Sequence, residues 1–198
     1  MNLTSEQVHW IIGGWIAIIA CFLILNETRV LAARWVRWLL PVGMLAVGIE
    51  LIIDPLLHGA AAPGGYEHET AQHFMLGAGL IVVAALEGLR EKEVLRHRFW
   101  SMVMPTGLIA AGAVFMFHAQ HEASVPIIVL IAQHRVYGVT LWLAGLAKAL
   151  AEIRSHKTRT FAAGWLVLLL LFGFELLLYT EGGSLFGESF LEHSGHMK

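Results

Sequence analysis

The sequence predicts an all-α membrane protein. Six transmembrane helices form three tandem two-helix repeats around a pseudo-threefold axis, with both termini outside. The first observation behind this is composition: 57% of the residues are hydrophobic and only 14% charged, far from the soluble average. The second is that the apolar residues gather in six runs. The third is that the chain aligns with itself. His9, Gly13, Ala20, Leu25, Glu27, Val30, Leu31, Arg34, Pro41, Gly43 and Gly48 fall, without a gap, on His73, Gly77, Ala84, Leu89, Glu91, Val94, Leu95, Arg98, Pro105, Gly107 and Gly112. A third copy opens with Ala132-Gln133-His134, repeating Ala71-Gln72-His73. It carries Gly138 onto Gly77, and Gly173-Phe174-Glu175-Leu176 onto Gly48-Ile49-Glu50-Leu51. Fixed-period self-similarity sets architecture. The reading is one transmembrane domain over 1–198, with repeats at about 8–60, 72–123 and 133–183.

The spans follow in order at 8–25, 36–57, 73–89, 99–117, 125–150 and 161–179. Most approach the ~20 residues that cross a ~30 Å hydrocarbon core, and in lipid such runs are helical because the backbone must satisfy itself. Pro41 and Pro105 sit near helix starts, where a missing N–H matters least. Gly13, Gly48, Gly77, Gly112 and Gly138 allow helices to approach closely. Cys21 is expected buried in span one, and a lone cysteine excludes a disulfide framework or a thiolate metal cluster.

Charge gives the orientation. Arg29, Arg34 and Arg37 lie between spans one and two; Arg90, Lys92, Arg96 and Arg98 between three and four; Lys148, Arg154, Lys157 and Arg159 between five and six. The opposite face has only Arg135 and Lys198. Basic loops stay cytoplasmic, so the expectation is a multi-pass protein of a bacterial inner (plasma) membrane. The opening MNLTSEQ lacks a basic flank, so span one is expected to remain in the mature chain.

On that topology, nine of the eleven histidines fall at the outer face: His9, His58, His68, His73, His118, His121, His134, His193 and His196. His9, His73 and His134 occupy equivalent repeat positions. Asp54, His118 and Tyr179 are likewise equivalent, so the even-numbered spans end in ligand-capable side chains; His58 falls opposite Glu122. Glu50, Asp54 and His58 share one helix face. His118, His121 and Glu122 can meet if span four continues as a helix. Glu175 lies about one turn below the outer surface. Ionisable groups at such depth face the bundle interior and mark function.

Neutral imidazoles with a carboxylate nearby suit a transition metal better than magnesium or calcium. The expected site is therefore copper or zinc on His73, His118 and His134, with His9 or His121 completing the set. Asp54, Glu50, His58, Glu122 and Glu175 are supporting or alternative ligands. Three nitrogens would leave an open position. Three rival readings share the residues: a haem b electron-transfer protein with His73 paired to His134 or His118, a zinc-dependent membrane hydrolase, and a structural subunit held by a His/carboxylate network, with Arg135 paired to Glu50 or Glu175. Whether the chain is an enzyme stays open. The partner is the lipid bilayer, with another membrane, periplasmic or extracellular protein needed for any large substrate, because the outer loops are short; no nucleic-acid partner is expected.

Ala71-Gln72-His73 opening an apolar span, then Phe115-Met116-Phe117-His118 through His121, then His134, resembles the transmembrane protein 45 family. There a Gln-His pair opens one helix and a His-rich stretch links two later ones; the His-x-His of that stretch is His-x-x-His here (His118, His121). The resemblance covers spans three to five and implies a polytopic, His-rich membrane protein.

Overall fold

The computed structural model describes residues 4–57, 67–118, 127–153 and 159–181. Secondary structure among them is helical: α1 (Ser5–Glu27), α2 (Leu39–Leu57), α3 (Glu67–Glu91), α4 (Val103–Met116), α5 (Ile127–Ile153) and α6 (Arg159–Leu177). Five of these helices are long and apolar enough to cross a membrane, and α6 adds the shorter apolar stretch Ala162–Leu177. Large side chains such as Ile11, Ile18, Val42, Val82 and Leu146 stand exposed around the bundle, a surface that lipid tolerates and water does not.

Local chemistry fixes the helix ends. Thr4 caps α1 through its side chain, and Gln7 bonds back to the Thr4 amide, a reciprocal capping box. α1 and α3 stop at the same kind of turn. Arg29 (φ 64°) and Glu93 (φ 58°) adopt the left-handed conformation, and the Leu31 and Leu95 amides close back onto Leu25 and Leu89. A 3₁₀ turn follows in each case, at Arg34–Trp38 and Arg98–Met102, leading into α2 and α4. Pro41 and Pro105 are then third in their helices, among the first four residues whose N–H groups lack an intrahelical partner.

α4 ends at Met116, one residue before the end of the expected span at 117. After Met116 the Phe117 and His118 amides bond to Val114 and Phe115, which tightens the last turn. His118 therefore lies beyond α4, and His121 lies outside the described residues.

α1 packs chiefly on α6, α2 on α3, α4 on α5, and α5 on α6. At the crossings glycine meets glycine. A methyl added to Gly13 would lie 2.7 Å from the Gly173 carbonyl oxygen, one on Gly48 2.8 Å from that of Gly77, and one on Gly112 2.7 Å from that of Gly138. Only bare backbone fits there. The buried core runs between α5 and α6 through Leu130, Tyr137, Leu141, Trp165, Leu169, Phe172 and Leu176. By contrast, α1 with α2 and α3 with α4 share much less surface. Cys21 is exposed rather than buried: α1 turns Gly13, Ala17 and Ala20 inward, and Cys21 falls off that face.

At the bundle end opposite the histidines, Glu87 is buried and accepts two bonds from Arg90 Nη1, at 2.6 and 2.8 Å. Arg37 approaches Glu91 at 3.5 Å, and Lys148 pairs with Glu152.

The crossings predict a sharp contrast between glycines. Gly112→Leu must push α4 off α5 and should destabilise by about 1–3 kcal/mol, as overpacking does. Gly79→Ala adds a methyl that meets nothing within 4 Å and should hold or raise the thermal midpoint. Thermal unfolding of the two purified variants in one detergent checks both.

Candidate histidine site at one end of the bundle

Each odd-numbered helix carries a histidine four residues before its contact glycine: His9 before Gly13, His73 before Gly77, His134 before Gly138. Residues i and i+4 share a helix face, so each imidazole sits one turn along from a backbone contact, facing the neighbouring helix. The end of α4 brings in His118. The His73 and His118 rings have centroids 5.2 Å apart, His118 and His134 4.8 Å, and His134 and His9 6.2 Å. Of the expected ligands among the described residues, these four are the ones the fold gathers.

The hydrogen bonds assign the ring protons. Nδ1 of His9 lies 2.8 Å from the Ser5 carbonyl oxygen, and Nδ1 of His134 lies 2.9 Å from that of Leu130. A carbonyl only accepts, so both Nδ1 atoms carry hydrogen and a neutral ring keeps its lone pair on Nε2. Gln72 Nε2 donates to the Phe117 carbonyl at 2.9 Å, which turns Gln72 Oε1 toward Nδ1 of His118 at 3.0 Å. His118 is thereby a third Nδ1–H imidazole. Nε2 of His118 lies 3.3 Å from Nε2 of His73, and with His118 donating from Nδ1, His73 supplies the proton between them.

Other groups hold this end shut. Gln133, in the repeat position of Gln72, clamps both the amide (3.1 Å) and the carbonyl (3.0 Å) of Thr180. The Tyr179 ring stacks on His9 at 3.9 Å, and its hydroxyl donates to Glu181 at 2.7 Å. Trp10 Nε1 donates to the Tyr179 carbonyl at 2.9 Å, tying α1 to the end of α6. The structural roles of Gln72 and Gln133 were not read from the sequence, although the repeated Ala-Gln-His was their signal.

The carboxylates are placed differently from expectation. Glu175 is bonded by Thr140 Oγ1 at 2.7 Å, and its Oε2 is buried without a hydrogen-bond partner among the described residues. Arg135 is exposed and forms no ion pair with it among the described residues. The α5 face that points inward carries His134, Tyr137 and Thr140, which leaves Arg135 outside. Glu50 is half-buried on α2 and, like Glu175, does not line the histidine pocket. His58, His121, Glu122 and the Asp54 side chain lie outside the described residues.

The histidines close one end of a cavity of about 400 Å³. Its polar lining is Ser5, His9, Gln72, His73, His118 and His134; the rest is aliphatic, aromatic, methionine and glycine from all six helices. As the rings stand, no group of three His, Cys, Asp or Glu side chains among the described residues is arranged to hold a metal. His9 lies against Tyr179, and His73 and His118 bring ring nitrogens within 3.3 Å of each other.

Six helices, five of them membrane-length and apolar, are the make-up of a multi-pass membrane protein with a histidine-lined pocket. No family model, no curated protein and no solved structure matches the chain.

The bonding pattern predicts tautomers. In metal-free protein with ¹⁵N-labelled histidine, His9, His118 and His134 should be Nδ1–H and His73 Nε2–H. Nε2–H resonances for His9 and His134 would contradict the assignment.

Proposed function

We propose that the protein is a transition-metal-binding membrane protein, with copper or zinc held by His9, His73, His118 and His134. The observation that carries this is the tethering of Nδ1 in three of the four imidazoles, to the Ser5 and Leu130 carbonyls and the Gln72 amide oxygen. Ligating histidines characteristically donate their other ring N–H in this way, which fixes the tautomer and aims the lone pair. The 3.3 Å between Nε2 of His73 and Nε2 of His118 supports it, because two ligands on a tetrahedral ion with bonds of about 2.0–2.1 Å sit roughly 3.3–3.4 Å apart. Metal takes the place of the proton between them, so His73 moves its hydrogen to Nδ1. His134 joins them by rotating its ring, and the fourth position goes to His9 or to an outside ligand.

The tandem-repeat reading belongs to the same proposal. Gly13–Gly173, Gly48–Gly77 and Gly112–Gly138 are the crossings that a threefold repeat of one contact would produce. The matched turns at Arg29 and Glu93 repeat the local backbone. Basic loops at the other end put the histidines at the outer face of the membrane, with both termini outside. The resemblance to the transmembrane protein 45 family, which rests on the Gln-His and Phe-His motifs, fits a His-rich membrane protein of this kind.

The test is metal content of untagged protein after reconstitution, by inductively coupled plasma mass spectrometry. Wild type should hold about one copper or zinc per chain. His118→Ala and His134→Ala should each lose it, and Gln72→Leu should weaken affinity by ~10–100-fold, as loss of an orienting partner does. Metal-free wild type would overturn the proposal, and stoichiometric iron with a haem spectrum would replace it with the haem b reading.

A further inference from the structure

Below the four histidines the described lining of the cavity is apolar apart from the Trp15 and Trp165 indoles. Its walls are residues such as Ile12, Leu80, Val83, Met104, Leu108 and Leu169. It reaches from His73 to Val83 along α3, ten residues, or about 15 Å at ~1.5 Å per residue. From Ser5 to Ile19 along α1, and from Met104 to His118 along α4 and its last turn, the lining runs fourteen residues, about 21 Å, so the cavity reaches past one leaflet of the ~30 Å core. With a volume of about 400 Å³ the cavity is long and apolar, a shape that suits a hydrocarbon chain.

The way in is sideways. α3 and α4 touch at Val83–Gly107, where an added methyl would meet Val83 at 3.0 Å. They touch again at the Gln72–Phe117 bond. Between these two contacts the helices part, and Met75, Gly79 and Ala110 line the cavity while being exposed. A window bounded above and below by helix contacts, and opening on the apolar surface of the bundle, admits a molecule already dissolved in the membrane.

We propose that the cavity takes one long hydrocarbon chain from the membrane, through the α3–α4 window, with an oxygen-donor head group such as a carboxylate set against the histidines. The head-group chemistry rests on the metal reading, because an oxygen anion completes a histidine-bound ion that keeps an open position. The chain's berth rests on the cavity alone. The site therefore handles a single-chain amphiphile, its polar end at the metal and its tail sheltered from lipid.

The test uses the full chain in lipid nanodiscs, metal content measured on the same sample, and palmitic acid carrying a mid-chain diazirine. Photolysis should label Leu80, Val83, Met104 or Leu108. Unlabelled palmitate should compete, and methyl palmitate should compete at least tenfold less well. Gly79→Phe, which fills the cavity from a position where an added methyl meets nothing within 4 Å, should cut labelling at least tenfold. Gly79→Ala should keep it, with thermal midpoints confirming that both variants fold. Labels confined to outward-facing Val82 and Val139, or cavity labels indifferent to Gly79→Phe, would overturn the inference. Metal-loaded protein without cavity labels overturns it while leaving the metal reading intact. Cavity labels on metal-free protein keep the chain's berth and overturn the metal reading. Equal competition by the ester overturns the head-group assignment.

Discussion

Backbone contact between glycines is the constraint on which this molecule rests. Helices in lipid gain nothing from burying apolar faces against each other, since the solvent is itself apolar; they gain from close packing. At Gly13–Gly173, Gly48–Gly77 and Gly112–Gly138 the helices approach until a single methyl would strike a carbonyl oxygen. Each contact lies one turn from His9, His73 or His134, so the distance that packing demands also decides where the imidazoles stand. A histidine four residues from a crossing has nowhere to go but the seam with the next helix. The same contacts leave α1–α2 and α3–α4 loosely paired, and that slack is the cavity.

The polar chemistry of the histidine end is economical. Buried donors and acceptors have to be matched, and here most are matched within a few residues or across one seam. His9 and His134 each use a carbonyl one turn back. Gln72 spends one amide end on the Phe117 carbonyl and the other on His118, while Gln133 does the corresponding work at Thr180. The rings are oriented by these bonds before any ligand arrives. These bonds fix the tautomers and leave Nε2 of His9 and His134 as lone pairs at the polar end of the cavity.

Much of this was legible in the sequence because helical periodicity and repeat register report which residues share a face. The apolar runs anticipated where the six helices lie, and aligning His9, His73 and His134 anticipated that they would meet near His118. What periodicity does not report is separation. The splay of α3 from α4, and with it the cavity, depends on how Val83 meets Gly107, a matter of packing between segments. The end of α4 at Met116 lies one residue from the end of the apolar run, because the run and the helix stop at the same tightened turn. Arg135 could not be paired from spacing alone: it is adjacent to His134, and adjacent helical residues point about 100° apart, so one inward ring implies an outward guanidinium. Cys21 shows the same limit, since an apolar run says that a residue is in the span and nothing about which side of the helix it occupies.

The account stands or falls on what surrounds a bound ion. X-ray absorption at the zinc edge of zinc-loaded protein reads that shell directly. The account predicts three or four imidazole nitrogens at about 2.0–2.1 Å, with the multiple-scattering signature of intact rings. A shell of oxygens alone, or one unchanged when His118 and His134 are both replaced by alanine, would contradict it.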